Sequence, residues 1–376
     1  MRKDTGSPTN ESTPSRRDVL GWTGKVGGAA AVAATMPKMA EFILGSTPAH
    51  AADKPLKLAV LGQQMSAQSD VRAWDGMQAW MKNTGVDKTW QVNLTDAKGD
   101  PGKLVSQIQD AVTAKVDAIV VLFGTLTAAH AALETVKNSK IPFFSIDSGW
   151  QAPAIADLTS NNYVMGGQES QYMVDRLLGA GKEKAKIAAI IANFHHGTRK
   201  RGKVLETLLT ENSWIEQVDS RVIQYEGFYE NTQNIVNDWL TRYGDELDCI
   251  WCPWDEPAMA ASEAIVSKGL QDKIFVVGVD GHPTALQRIR DGGAAWPQKC
   301  TCAQAFELWG AYCCWLVNEI VGKGGDAKQL VPVPIVEFPA PLVVSEVNVP
   351  GKGEETWQAV DLYMLYQQRV MAGMKS

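Results

Sequence analysis

The sequence predicts an α/β fold of two doubly wound parallel-sheet domains, and three observations carry that reading. Short, almost wholly apolar runs recur along the chain, and amphipathic helical stretches separate them. A strand buried on both faces reads as a continuous apolar run, and its alternation with helices marks a parallel sheet covered on both sides. The strand-like runs number about ten, which is large for one open sheet, so two domains are expected.

The elements follow in order. Residues 57–62 (KLAVLG) form the first apolar run. Residues 70–82 place Trp74, Met77 and Met81 at helical spacing, a pattern that serves the core. Residues 90–95 are strand-like, and the turn DAKGDP follows at 96–101. That turn opens a helix with Leu104, Ile108 and Val112 on one face; Asp100 is its expected N-cap and Pro101 its first residue. Residues 118–123 and 142–146 are further buried strands, and the rhythm resumes at 186–192, 221–225, 249–252, 275–279 and 299–303.

The chain has 376 residues, 45% of them hydrophobic, and a formal net charge of −6. No basic footprint for nucleic acid is present, so that partner class is excluded. The first fifty residues stand apart from the pattern. Ser15-Arg16-Arg17-Asp18-Val19-Leu20 has the form of a twin-arginine export motif, a small-residue stretch follows at 26–34, and Ala49-His50-Ala51 fits a cleavage site. Lys25, Lys38 and Glu41 make the stretch too polar for a membrane span. Residues 1–51 are therefore expected to be a signal peptide removed on export to the periplasm.

Function is sought at the strand ends, because open parallel sheets bind ligands outside the carboxyl ends of their strands. The run IFVVGVDGHP ends on Asp280, which could serve as a ligand group or cap the helix opening near Pro283. Its neighbours favour the first role. PFFSIDSGW ends on Asp147, with Trp150 close behind; HHGTRKRG brings Arg199 and Arg201; CIWCPWDEP ends on Trp254-Asp255; CTCAQAF ends on Gln304. Carboxylates and guanidinium groups form charge-assisted hydrogen bonds with hydroxyls, while aromatic rings cover C–H faces. Such an edge suits a hydroxyl-rich ligand.

Other signals lead elsewhere. Cys249, Cys252, Cys300, Cys302, Cys313 and Cys314 sit in strands or an apolar helix, where buried thiols behave as small hydrophobes. His195-His196 lack an evident carboxylate partner, and adjacent histidines tend to diverge, so they are expected at the cleft edge at most. Gly179-Ala180-Gly181-Lys182 lacks the spacing of a phosphate loop and follows a helix. No cofactor and no metal are expected.

Assembled in order, the blocks DAKGDPGKLVSQIQDAVTAKVDAIVV, IPFFSIDSG, SNNYVMGG, RKRGKV, WDEPAMAASEAI and VVGVDGHPTALQRIRDGG resemble the periplasmic sugar-binding proteins of the ribose-binding type, type I receptors of bacterial ABC importers. The resemblance implies two lobes, 55–160 with 305–333 and 161–304 with 334–348, joined by three crossovers near Ser160-Asn161, Gln304-Ala305 and Pro332–Pro334. It places Asp147, Arg201, Asp280 and Gln304 on contact positions with the family's residue types. Phe228 is a further implied contact. The family's aromatic pair after the first strand is replaced by QQMSAQSD, so Gln68, Ser69 or Asp70 would face the ligand. Ser148 stands where an Arg is usual and Trp254 where an Asn is usual, which weakens the case for ribose itself. Residues 349–376 extend beyond the family's ending as an expected helix.

The leading expectation is a monomeric receptor that captures a neutral sugar or polyol, closes on it, and delivers it to an ABC permease. A chemoreceptor is a further candidate partner. Asp147 and Asp280 facing one guanidinium leave about −1 of charge, which disfavours sugar phosphates. The alternative is an exported carbohydrate-active enzyme using Asp147 and Asp280 as an acid/base pair. A sugar-responsive repressor would need a DNA-binding helix pair where the export signal stands.

Overall fold

The structure is a computed structural model, and it describes residues 55–344 and 348–349. The expected signal peptide, and the expected C-terminal extension from residue 350 onward, lie outside the described residues. Two parallel-sheet α/β domains are present, each built on six strands. The first sheet has the order β11-β5-β4-β3-β1-β2, with β1 Lys57–Gly62, β2 Gln91–Asp96, β3 Ala118–Leu122, β4 Phe143–Ile146, β5 Ala156–Ser160 and β11 Ile335–Phe338. All its pairings are parallel. The second has the order β12-β10-β9-β8-β6-β7, with β6 Ala185–Ile191, β7 Ile215–Val222, β8 Cys249–Trp251, β9 Phe275–Asp280, β10 Gln298–Ala303 and β12 Leu342–Val344. Only β12 pairs antiparallel.

Local sequence explains the helix starts. Asp100 accepts hydrogen bonds from the amides of Gly102 and Lys103 and so caps α2 (Pro101–Thr113). Asn161 does the same for α4 (Asn162–Gly179). In the first domain, α2 and α3 (His130–Ser139) cover one face, where Leu104, Ile108 and Leu133 bury against Leu61, Ile119 and Val121. Helices α1 (Gln68–Thr84) and α9 (Phe306–Val317) pack tightly on each other. A Cβ on Gly76 would sit 1.8 Å from the Glu307 carbonyl oxygen, and one on Gly310 would sit 1.8 Å from that of Ala73. Those two glycines let the helix backbones touch.

The second domain repeats the plan. α4 and α5 (His196–Glu211) bury Met173, Leu177 and Leu205 against Ile187, Trp251 and Val277. α6 (Phe228–Arg242) and α7 (Asp255–Ser267) bury Val236, Trp239 and Ile265 against the other face. α8 (Pro283–Gly292) follows β9.

Three features differ from the sequence expectation. β11 pairs with β5 and β12 with β10, so the chain passes between sheets after Phe338 and before Leu342, not at Pro332–Pro334. The strand after α5 is Ile215–Val222 and not 221–225, because it is a half-exposed edge strand with no apolar run to mark it. β5 (ADLTS) is fully buried although polar; Asp157 takes hydrogen bonds from Ser145 Oγ at 2.7 Å and the Ser148 amide at 3.1 Å. All six cysteines are free and buried.

Candidate ligand-binding site

The carboxyl ends of the two sheets face a common cavity of about 340 Å³. Asp147 follows β4 and Asp280 ends β9, strands that are each third from the edge of their sheet. Both residues have positive φ, 42° and 117°. Such backbone costs about 1–3 kcal/mol per residue and clusters where clamps and ligands are held.

Asp280 is held by its site, not by a helix. Its Oδ1 accepts from Gln304 Nε2 at 2.6 Å and meets Arg201 Nη1 at 3.4 Å. The cap of α8 is His282, whose Nδ1 accepts from the Thr284 amide. Arg201, on α5, also donates to Asn162 Oδ1 at 2.9 Å and to the Pro253 carbonyl at 2.7 Å, so its plane is fixed.

Asp147 does not share Arg201, contrary to the expectation. Its Oδ1 accepts from Thr159 Oγ1 at 2.5 Å and lies 3.4 Å from His196 Nε2. The rings of His195 and His196 both approach its carbonyl oxygen, at 2.8 and 3.0 Å. The histidine pair therefore converges on a carboxylate-bearing residue, where the sequence suggested divergence. His195 is the extended N-cap of α5 and His196 its first residue, and that change of backbone direction tilts the two rings into contact, with centroids 4.5 Å apart. Among the described residues these three could gather around a metal ion. However, His195 Nδ1 accepts from the Gly197 amide, so its Nε2 carries the proton and donates; a protonated nitrogen is no ligand. The cluster is a hydrogen-bonded clasp between the two lobes.

A second tie crosses nearby. Arg72 of α1 grips Glu307 through two contacts of 2.6 and 2.9 Å and donates to the carbonyls of Asp280, Gly281 and Gln304. Its guanidinium also lies over the Phe306 ring.

Of the residues chosen from sequence, Gln68, Asp70, Asp147, Arg201, Phe228, Trp254, Asp280 and Gln304 line the cavity. Ser148 and Trp150 do not. The Ser148 hydroxyl accepts from the Gly124 amide and donates to the Ile146 carbonyl, which turns it inward. Trp150 is 37% exposed and donates to the Ala154 carbonyl on the outside. The aromatic wall of the first lobe is instead Phe123 with Phe306, edge to face at 5.4 Å. In the second lobe Trp254 packs on Phe194 and Phe228. Asp255 points away from the cavity, accepting from Gln298, Thr301 and the His282 amide, and the next residue, Glu256, takes its place on the wall. Sequence reading missed Arg72, Phe194, Tyr225, Glu256 and Phe306. The strand-end rule covers Phe194, which follows β6.

Burial shapes the titration. Desolvation pushes Asp70 up to about 7 and Glu256 up to about 8, and also raises Asp280. Asp147 is buried too, yet the hydrogen bond and charge of His196 hold it well below the usual carboxylate range. His196 rises despite its burial because Asp147 faces it. His195 falls to about 4 through burial and the neighbouring His196.

Two α/β domains with polar groups and rings converging on one cavity define a cleft-type binding protein, which holds a ligand between its lobes. The chain belongs to the periplasmic binding protein domain family, which matches residues 59–325. It is 22% identical over 271 residues to the xylitol-binding protein of Mycolicibacterium smegmatis, covering 72% of this chain and 74% of the relative. It is 24% identical over 261 residues to the ribose import binding protein of Bacillus subtilis, covering 69% and 79%. A solved ABC transporter solute-binding protein from Agrobacterium vitis with bound allitol superposes with a TM-score of 0.67 at 23% identity, covering 78% of this chain and 96% of that one. Among the described residues no helix is long and apolar enough to cross a membrane.

Proposed function

We propose that the protein captures a neutral sugar or polyol between its two lobes and presents the closed form to the permease of an ABC importer. The observation that carries this reading is the cavity itself, where Asp147, Arg201, Asp280 and Gln304 meet aromatic rings from both lobes. Hydroxyls find charge-assisted partners there, and C–H faces find rings. The names of the relatives, which bind xylitol, ribose and allitol, point the same way. An acid/base pair on Asp147 and Asp280 has no support: one carboxylate is occupied by Thr159 and His196, the other by Gln304 and Arg201.

The protein works as a periplasmic monomer exported by the twin-arginine route, and a chemoreceptor that reads the closed form is a further partner. Arg16-Arg17 and Ala49-His50-Ala51 support the export step. Lysine at both arginine positions should abolish periplasmic recovery; unchanged recovery would contradict that route. The binding reading is tested by thermal shift of the purified protein against pentoses, hexoses, inositols and linear polyols. At least one should raise the melting temperature with concentration, and a flat response to all of them would overturn it.

A further inference from the structure

Asp280, the last residue of β9, and Gly281 behind it both have positive φ, 117° and 63°. Glycine adopts that region freely, whereas an aspartate stays there only when its surroundings hold it. Here the main chain is what is held. The Asp280 carbonyl accepts from the Gln304 amide at 3.1 Å and from Arg72 Nη1 at 3.3 Å, and the Gly281 carbonyl accepts from the same Arg72 nitrogen at 3.3 Å. Arg72 Nη2 donates to the Gln304 carbonyl at 3.0 Å. One guanidinium thus grips the backbone of two cavity residues, Asp280 and Gln304, whose side chains meet at 2.6 Å.

Arg72 does this from across the cleft. It stands on α1 beside the first sheet, whereas Asp280 ends β9 and Gln304 follows β10 in the second. Glu307 of α9, buried like Arg72 itself, fixes the guanidinium plane through Nε at 2.6 Å and Nη2 at 2.9 Å, and the Phe306 ring lies against it with the centroid 4.9 Å away. A guanidinium has five N–H groups, one on Nε and two on each Nη. The two bonds to Glu307 and the three to carbonyls use all of them. Arg72 borders the cavity, yet it keeps no donor for a ligand.

Resting on the sugar or polyol reading, we infer that Arg72 is the positioning residue of the site: it sets the Asp280 carboxylate and the Gln304 side chain in the geometry that engages the ligand, and it acts on affinity through them. The ligand groups at the ends of β9 and β10 therefore reach that geometry when α1 of the first lobe is seated against them. Lysine is no substitute, because its three donors radiate from one nitrogen and cannot serve a carboxylate and three carbonyls at once.

The experiment is a double-mutant cycle by titration calorimetry on the wild type, Arg72→Lys, Asp280→Ala and the two combined. The probe is the tightest wild-type binder among pentoses, hexoses, inositols and linear polyols. Arg72→Lys should weaken binding about tenfold or more. The combined variant should lose far less than the product of the two single losses, because a carboxylate that is no longer held in place contributes little. A merely structural role for Arg72 would let the two losses multiply. Should Arg72→Lys not fold, Arg72→Met with Glu307→Met takes its place: it exchanges the buried ion pair for apolar side chains, which folding tolerates, and the same losses are expected. Wild-type affinity in the folded Arg72 variant, or losses that multiply, would overturn the inference and leave the sugar and polyol reading standing. Binding of none of these compounds by the wild type would overturn both.

Discussion

His196 Nε2 of the second lobe lies 3.4 Å from Asp147 Oδ1 of the first and 3.0 Å from its carbonyl oxygen. The contact spans the cleft, yet His196 does not line the cavity. It ties the two lobes together without touching a ligand, and a tie that holds them together when a ligand is bound adds to apparent affinity.

His196→Ala should therefore weaken binding about five- to twentyfold, the scale of one charge-assisted hydrogen bond of about 1–2 kcal/mol. Stopped-flow measurement should place the change in dissociation, with association nearly unaltered. Unchanged affinity would show that the clasp is incidental.

Asp70 and Glu256 make stability depend on pH. Their folded values lie above those of free carboxyls, so the folded state holds protons that the unfolded chain has lost between about pH 4 and pH 8. Stability must then fall as pH rises through that window. The melting temperature of the ligand-free protein should drop by several degrees between pH 5 and pH 8. The drop should be smaller in Asp70→Asn and Glu256→Gln, and equal drops in all three proteins would refute the assignment.

Removing the Asp280 carboxylate frees Gln304 Nε2 and leaves Arg201 with one partner fewer. Asp280→Ala should cost about 1.5–3 kcal/mol of binding, roughly ten- to hundredfold. Calorimetry with the tightest sugar or polyol checks this, and wild-type affinity in the variant would contradict it. In the same assay a sugar phosphate should bind more weakly than its parent, because the wall already carries excess carboxyl groups.

Gly310→Ala tests the α1–α9 contact. The new methyl would meet the Ala73 carbonyl oxygen at 1.8 Å, and because that oxygen is backbone it cannot swing aside, so the helices must separate. A loss of about 1–3 kcal/mol is expected, read as a lower urea midpoint. An unaltered midpoint would mean that the helices can part freely.

Much of this was legible in the sequence, for identifiable reasons. Apolar runs buried on both faces announce strands such as Lys57–Gly62, and Asp100-Pro101 announces a helix start. Asp147 and Asp280 stand out because each carboxylate ends such a run. The rest depends on contacts that no local pattern encodes. Arg72 finds Glu307 at a separation of 235 residues. Whether Asp255 or Glu256 faces the cavity depends on one residue's turn at the start of α7. Trp150 follows a strand end as Trp254 does, but its indole bonds to the Ala154 carbonyl and leaves the cleft.

The central claim is capture by closure of two lobes on a polyhydroxylated ligand. Small-angle X-ray scattering tests it most directly, on the purified protein alone and saturated with its tightest-binding sugar or polyol. The account predicts a smaller radius of gyration with ligand, with the same molecular mass and the same helix content. An unchanged radius, with saturation verified by calorimetry on the same sample, would contradict it.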